Sequence, residues 1–250
     1  MRSSLRIIFF FVLYAIGFYY FRDSNFYNYK ILAADMGSIP WLYSTIGLIF
    51  GIISAFIIQK EWQRWNDLVD SVKGEVGALS ELWLWSERLN EKERDDIRNS
   101  IKDYLKVVIK KGWEKTRKGE ISNELEEAII KMNAAVSEID RVNPLLSTVA
   151  FSLFSNITSY REKRLRFGSS EMPKVLLNTF RFSTFLMIAL CPLIAVKDHA
   201  LHLLFANSIA MLSFTIYTVA VDMDNPLKPG GWHLTNSDYV NLLNKLESKS

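Results

Sequence analysis

Four stretches of the chain are apolar for long enough to cross a bilayer: residues 5–21, 36–59, 173–196 and 200–221. A helix needs about 20 predominantly apolar residues to span roughly 30 Å of hydrocarbon. The last three stretches meet that length. The first is marginal at 17 residues and is interrupted only by Arg6. It reads as a span rather than a cleaved leader, because residues 7–21 are dense in Phe and Tyr and the nearest small pair, Ala33-Ala34, lies too far downstream. Four transmembrane helices are therefore predicted.

Between the second and third spans the rhythm is helical throughout. Trp65, Val69, Val72, Val76, Leu79 and Trp83 recur at three- and four-residue spacing and define one apolar stripe. No breaker follows Gln59, so the second span is predicted to continue as one long helix to about Leu89. Ile97, Ile101, Leu105, Val108 and Ile109 make the inner face of a strongly charged helix, with Asn90 as N-cap, Glu93 completing a capping box and Gly119 as its stop. A further helix over residues 122–140 turns Leu125, Ile129, Met132, Val136 and Ile139 inward from a Ser122 N-cap, and Asn143-Pro144 breaks it. Residues 145–167 form the next, ending in a basic run before Pro173, which suits the first turn of the third span. After Gly230-Gly231, the residues Trp232, Tyr239, Leu242, Leu243 and Leu246 predict a short amphipathic helix packed on this soluble part. No strand is predicted. The expected fold is an all-α integral membrane protein: spans one and two in residues 1–59, a cytoplasmic helical domain in 60–172, spans three and four in 173–222, and a cytoplasmic tail in 223–250.

Charge sets the orientation. Arg2 and Arg6 precede the first span, Lys60 and Arg64 follow the second, and Arg161, Lys163, Arg164, Arg166 and Lys174 lead into the third, whereas the connections 22–35 and 197–199 hold few charges. By the positive-inside rule both termini and residues 60–172 are predicted to be cytoplasmic. That insertion holds 20 of the 30 basic and 20 of the 27 acidic residues, so it is nearly neutral and no nucleic-acid surface is expected. The lone Cys191 excludes a disulfide framework or a thiol metal set. His199 and His202 could share a helix face, but no acidic or thiol ligand accompanies them in sequence, and His233 stands apart. Neither a phosphate-cradling glycine loop nor a nucleophile elbow is present. No enzyme activity, cofactor or metal site is predicted.

Two features of the spans point to function. On the second, Ser44, Gly47, Gly51, Ser54 and Ala55 fall at three- and four-residue spacing, a face of small side chains with Leu48 and Ile52 beside it. Such a face permits close helix packing, and equally it could line a wet path with Leu48 and Ile52 as an apolar constriction. On the third, Arg181 lies inside apolar sequence, where a guanidinium costs roughly 2.5–3.5 kcal/mol at the bilayer centre. It either snorkels to the headgroups or pairs with protein, or it serves an ion path together with Lys60 and Arg64 at the mouth.

The residues from Phe50-Gly51-Ile52-Ile53-Ser54 through Gln59-Lys60-Glu61-Trp62-Gln63-Arg64-Trp65-Asn66 resemble the second span of bestrophins. Asp222-Met223-Asp224-Asn225-Pro226-Leu227 is similar to the acidic segment that follows their last span. More closely, residues 46–234 resemble the bestrophin-like membrane family named as a domain of unknown function, through Glu75-Val76-Gly77-Ala78-Leu79, Tyr104 with Trp113, residues 161–166 before Pro173, and Asp224-Asn225-Pro226. The resemblance implies a pentamer of four-span subunits in membrane lipid, with span two lining a central pore for small inorganic ions, an anion such as chloride rather than a cation. Its neck would fall at Ser44, Leu48 and Ile52, or one residue earlier at Tyr43, Gly47 and Gly51. Neither set carries the aromatic ring of animal bestrophins. Asp222 and Asp224 alone supply too few oxygens for a calcium clasp. Two other readings remain: a membrane-anchored scaffold or signalling module acting through residues 60–172, and a secondary transporter, for which only Cys191-Pro192 offers an interrupted span.

Overall fold

The computed structural model describes residues 2–24, 37–118, 120, 122–194 and 196–248, with side chains from residue 5 onward except 117 and 118. The 22–35 connection beyond Ser24, Ala33-Ala34 and the Gly119 stop lie outside the described residues. Among the described residues every regular element is helical. They are α1 (Arg2–Asp23), α2 (Ser38–Trp85), α3 (Glu91–Val107), α4 (Trp113–Lys118), α5 (Asn123–Val142), α6 (Pro144–Ser169), α7 (Lys174–Leu190), α8 (His199–Asp224) and α9 (Ser237–Glu247). Four of these are long and apolar enough to cross a membrane, over Leu5–Asp23, Ser38–Arg88, Lys174–Leu193 and His199–Asp224. The expected all-α membrane fold is the one observed.

The chain divides into two units. One comprises Met1–Trp62, Glu171–Asp224 and Pro229–Trp232, the other Gln63–Ser170, Asn225–Lys228 and His233–Ser250. The uninterrupted helix α2 belongs to both, as the lack of a breaker after Gln59 predicts, and closes with a 3-10 turn over Ser86–Arg88.

In the first unit the packing is aromatic. Phe10 stacks on Phe214 with ring centroids 4.1 Å apart, and Phe50 stacks on Phe180 at 6.1 Å. Pro192 has no N–H to give the carbonyl four residues earlier, which leaves Ile188 O without its helical partner. The Tyr14 hydroxyl donates to that carbonyl at 3.3 Å, and the Tyr43 hydroxyl donates to Met187 O at 3.1 Å. Here α7 gives way to a 3-10 turn over Cys191–Leu193. At the other end, Asp224 Oδ1 accepts the Met172 N–H at 2.6 Å, joining the last residue of α8 to the approach of α7. Pro173 stands one residue before the first helical residue rather than inside the first turn.

The second unit has a helical core in which the predicted inner faces are buried: Leu79, Trp83, Ile97, Ile101, Leu105, Leu125, Met132, Val136 and Ile139. Asn143 leaves helical geometry at φ −145°, and Pro144 opens α6, so the predicted break stands. The side-chain caps do not form: Asn90 and Ser122 both occupy N-cap positions, but only their carbonyls bond into the helices. Between α3 and α4 one π-helical turn, Val108–Gly112, intervenes where the residue stripe suggested plain α-helix. Helix α9 buries Tyr239, Leu242 and Leu246 in the same core.

At the centre lies a fully buried ion pair. Arg164 Nε donates to Glu75 Oε2 at 2.7 Å, and neither side chain is exposed to solvent. The Tyr104 hydroxyl donates to Glu75 Oε1, the Tyr239 hydroxyl donates to Oε2 at 3.0 Å, and Arg164 also donates to Thr116 Oγ1 at 3.3 Å. Burial raises both phenol values above their ordinary range, so they stay protonated and serve as donors. Burial alone would lower the Arg164 value, but Glu75 and the two phenol oxygens hold it well above normal. Close packing surrounds the cluster: a Cβ on Gly168 would stand 2.8 Å from the Thr116 methyl and 3.2 Å from Leu227 Cδ1.

Removing one partner of a buried ion pair strands the other charge, at a cost of about 3–5 kcal/mol. Glu75→Gln and Arg164→Met should each sharply lower the melting temperature of the detergent-solubilised protein. The double variant should recover much of that loss; additive losses would show that the pair is not the unit of stability. Because the Tyr104 and Tyr239 values are raised in the fold, their contribution is intact below the ordinary phenol value near 10 and lost as pH rises through the folded value. Alkaline absorbance titration should find these two phenols silent until the protein unfolds. Asp224→Ala removes a charge-assisted bond of about 1.5–3 kcal/mol. It should lower the melting temperature less than either change in the central pair.

Candidate functional site

The structure sorts the residues of span two into opposite sides of one helix. Tyr43 bonds to α7, Gly47 faces the Met187 side chain at 3.7 Å, Phe50 stacks on Phe180, and the buried Ser54 hydroxyl donates to the Phe50 carbonyl at 2.6 Å. These four positions, with buried Ile57, make the side that packs against protein. Ser44, Leu48, Gly51, Ile52, Ala55 and Gln59 are all exposed and follow one another at helical spacing on the other side. Leu48 is 65% and Ile52 63% exposed in the single chain. Among the six residues singled out from sequence, Ser44, Leu48, Gly51 and Ile52 thus share a face, while Gly47 and Ser54 turn away from it. Of the residues named for the two registers, Tyr43 and Gly47 meet α7, whereas Ser44, Leu48, Gly51 and Ile52 are exposed in the single chain.

The outward face is chemically mixed. Ser44, Gly51, Ala55 and Gln59 are small or polar, and the exposed Leu48 and Ile52 lie among them on the same side. Lys60 is exposed one residue past Gln59, and Arg64 is half-buried one turn further along the same helix.

Arg181 lies elsewhere. Its Nε donates to the Tyr217 hydroxyl on α8 at 3.1 Å. It borders a groove of about 310 Å³ lined by Phe10 of α1, Thr184, Phe185 and Ile188 of α7, and Phe214 and Tyr217 of α8. Helix α2 contributes no residue to that groove.

The acidic residues after span four hold backbone. Asp224 receives the Met172 N–H, and Asp222 Oδ2 lies 3.5 Å from the Gly231 nitrogen, close enough to Gly230 and Gly231 that a Cβ on either would touch its carboxylate. Asn225 O accepts the Lys228 N–H at 3.0 Å in a tight turn, and Pro226 O accepts the Leu234 N–H at 2.8 Å. Among the described residues no three His, Cys, Asp or Glu side chains converge as metal ligands.

What sequence reading did not assemble is the Glu75–Arg164 cluster. Glu75, Tyr104 and Arg164 each stood in a separate motif, and Tyr239 was read only as part of an amphipathic stripe. The bonded pairs are separated by 29, 89 and 164 residues, and no local periodicity reports such contacts.

Comparison with known proteins identifies the fold and the family. A bestrophin-like domain model fits residues 37–228, more than three quarters of the chain. Among solved structures, a mutant of a bacterial bestrophin homologue from Klebsiella pneumoniae superposes with a TM-score of 0.80 at 13% identity, covering 97% of this chain and 98% of the other. The same organism's homologue solved by Zn-SAD phasing gives 0.74 at 12% identity over 98% and 96%. A structure described only as a membrane protein gives 0.80 at 13% over 97% of each chain. No curated protein sequence matches the chain. At these identities the structures establish the shared fold, and the domain match establishes the lineage: this chain is a membrane protein of the bestrophin-like family.

Proposed function

We propose that the chain is one subunit of a pentameric ion channel whose pore is lined by the exposed face of α2. The observation carrying this reading is that Ser44, Leu48, Gly51 and Ile52 form a continuous side of an apolar helix with nothing packed on it in the protomer, in a chain of the bestrophin-like family. Five such faces around an axis would enclose a path whose narrowest rings are Leu48 and Ile52. Apolar rings of this kind let partly dehydrated ions pass without binding them and close by dewetting. Lys60 and Arg64, at the end of the same helix, would raise the local concentration of anions, so chloride rather than a cation is the favoured ion. The basic residues flanking the spans support, by the positive-inside rule, a topology with both termini and residues 60–172 in the cytoplasm. In this reading the protein is not an enzyme, and Asp222, Asp224, Asn225 and Pro226 shape the turn after α8.

The reading is tested first by the mass of the protein–detergent complex with detergent subtracted. Five subunits are expected; a stable monomer or dimer would leave no central pore and would favour a membrane-anchored module acting through its helical domain. In planar bilayers Leu48→Ala and Ile52→Ala should each raise conductance or leak, and unchanged currents in both would exclude this neck. Lys60→Gln should shift the reversal potential in a salt gradient. Arg181→Gln should leave it in place, because α2 takes no part in the Arg181 groove.

A further inference from the structure

The position of Arg181 raises a question that pore chemistry does not answer. A guanidinium carries five N–H donors. Among the described residues the only hydrogen bond Arg181 makes is from Nε to the neutral Tyr217 hydroxyl, so neither terminal nitrogen has a partner there. Arg181 stands seven residues beyond Lys174, about 10 Å into the span along the helix axis. At that depth unanswered donors in hydrocarbon are costly, and the headgroup layer or a bound anion has to meet them.

The surroundings identify that anion. Lys174, Asn178, Arg181 and Phe185 follow at helical spacing along one side of α7, and all four are exposed. This stripe runs from the end of the span, through two cations and an amide, into an apolar groove walled by Phe10, Ile188 and Phe214. Arg6, also exposed, lies one turn before Phe10 on α1. Neither Arg6 nor Lys174 forms an ion pair among the described residues. Side chains on a helix lean toward its N-terminus, which puts the headgroup layer on the Lys174 side within snorkelling reach of Arg181. A second copy of this chain is a poor occupant, because residues 5–21, 38–60, 174–193 and 199–221 contain no Asp or Glu to meet the guanidinium within the bilayer. A phospholipid supplies both halves of the match, a phosphodiester for the cations and an acyl chain for the groove.

We propose that the α1–α7–α8 groove is a binding site for an anionic phospholipid, its phosphate held by Arg181 and Lys174 with Arg6 nearby, and one acyl chain lying along Phe10, Phe185, Ile188 and Phe214. The proposal requires only that these helices cross a membrane, and it stands independently of whether α2 lines a pore.

Native mass spectrometry of the intact protein, titrated with phosphatidylglycerol or with phosphatidylcholine of the same acyl chains, tests it. The wild type should retain phosphatidylglycerol adducts in clear preference to phosphatidylcholine. Arg181→Gln should weaken phosphatidylglycerol retention roughly tenfold, as loss of a charge-assisted contact implies. Arg181→Lys should keep most of it, and the Arg6→Gln/Lys174→Gln pair should lose the preference for the anionic lipid without touching the groove. That pair decides the matter should Arg181→Gln fail to fold. Equal adducts in wild type and Arg181→Gln would overturn the site. So would displacement of the lipid by millimolar inorganic phosphate, which would make free phosphate the ligand. A changed subunit number in Arg181→Gln with lipid adducts intact would overturn it as well, since it would make a second protein copy the occupant.

Discussion

The second unit is organised around a charge that has nowhere else to go. Arg164 is wholly buried, and moving an unpaired guanidinium out of water costs far more than a domain's net stability. Its position therefore has to coincide with that of Glu75, whose two oxygens receive Arg164, Tyr104 and Tyr239. Four helices are committed by this one carboxylate: α2 through Glu75, α3 through Tyr104, α6 through Arg164 and α9 through Tyr239. Apolar stripes on these helices can slide by a turn and still bury similar area. A bonded charge cannot, so the cluster selects one register among several that hydrophobic packing would accept. The glycine at 168 belongs to the same constraint, since the contacts that hold Thr116 beside Arg164 leave no room for a methyl group there.

In the first unit the problem is reversed, because water is scarce and polar groups have to be satisfied within the protein. The hydroxyls of Ser54, Thr184 and Thr218 each donate to the carbonyl four residues earlier. Polar side chains can thus sit in apolar helices at little cost, and their presence does not by itself indicate a wet surface. Ser54 illustrates the point: it belongs to the small-residue pattern, but its hydroxyl is spent on its own helix. Ser44 carries no such bond and lies with Leu48 and Ile52 on the uncovered side.

This contrast explains what could be read from sequence. The spans, the extension of α2 to Trp85 and the break at Asn143-Pro144 follow from local rules of length, periodicity and missing donors, and each appears in the structure. The side of α2 that would meet α7 was not readable, because Gly47 and Gly51 are chemically alike, and the Met187 side chain against Gly47 is what distinguishes their surroundings. The π turn at Val108–Gly112 and the unused side-chain caps at Asn90 and Ser122 depend on how α3, α4 and α5 pack, so spacing alone did not report them.

The two phenols that meet the end of α7 carry a consequence for how the protein is made. Pro192 opens the hydrogen-bond ladder at Ile188, and in a bilayer no water is at hand to close it. Tyr14 and Tyr43 donate to carbonyls of this last turn, and both lie on helices synthesised earlier. Chain growth therefore delivers the donors before the acceptors. When α7 leaves the ribosome, the first two spans can already be waiting in the lipid with hydroxyls for its exposed carbonyls, so the order of the helices along the gene is also a workable order of assembly.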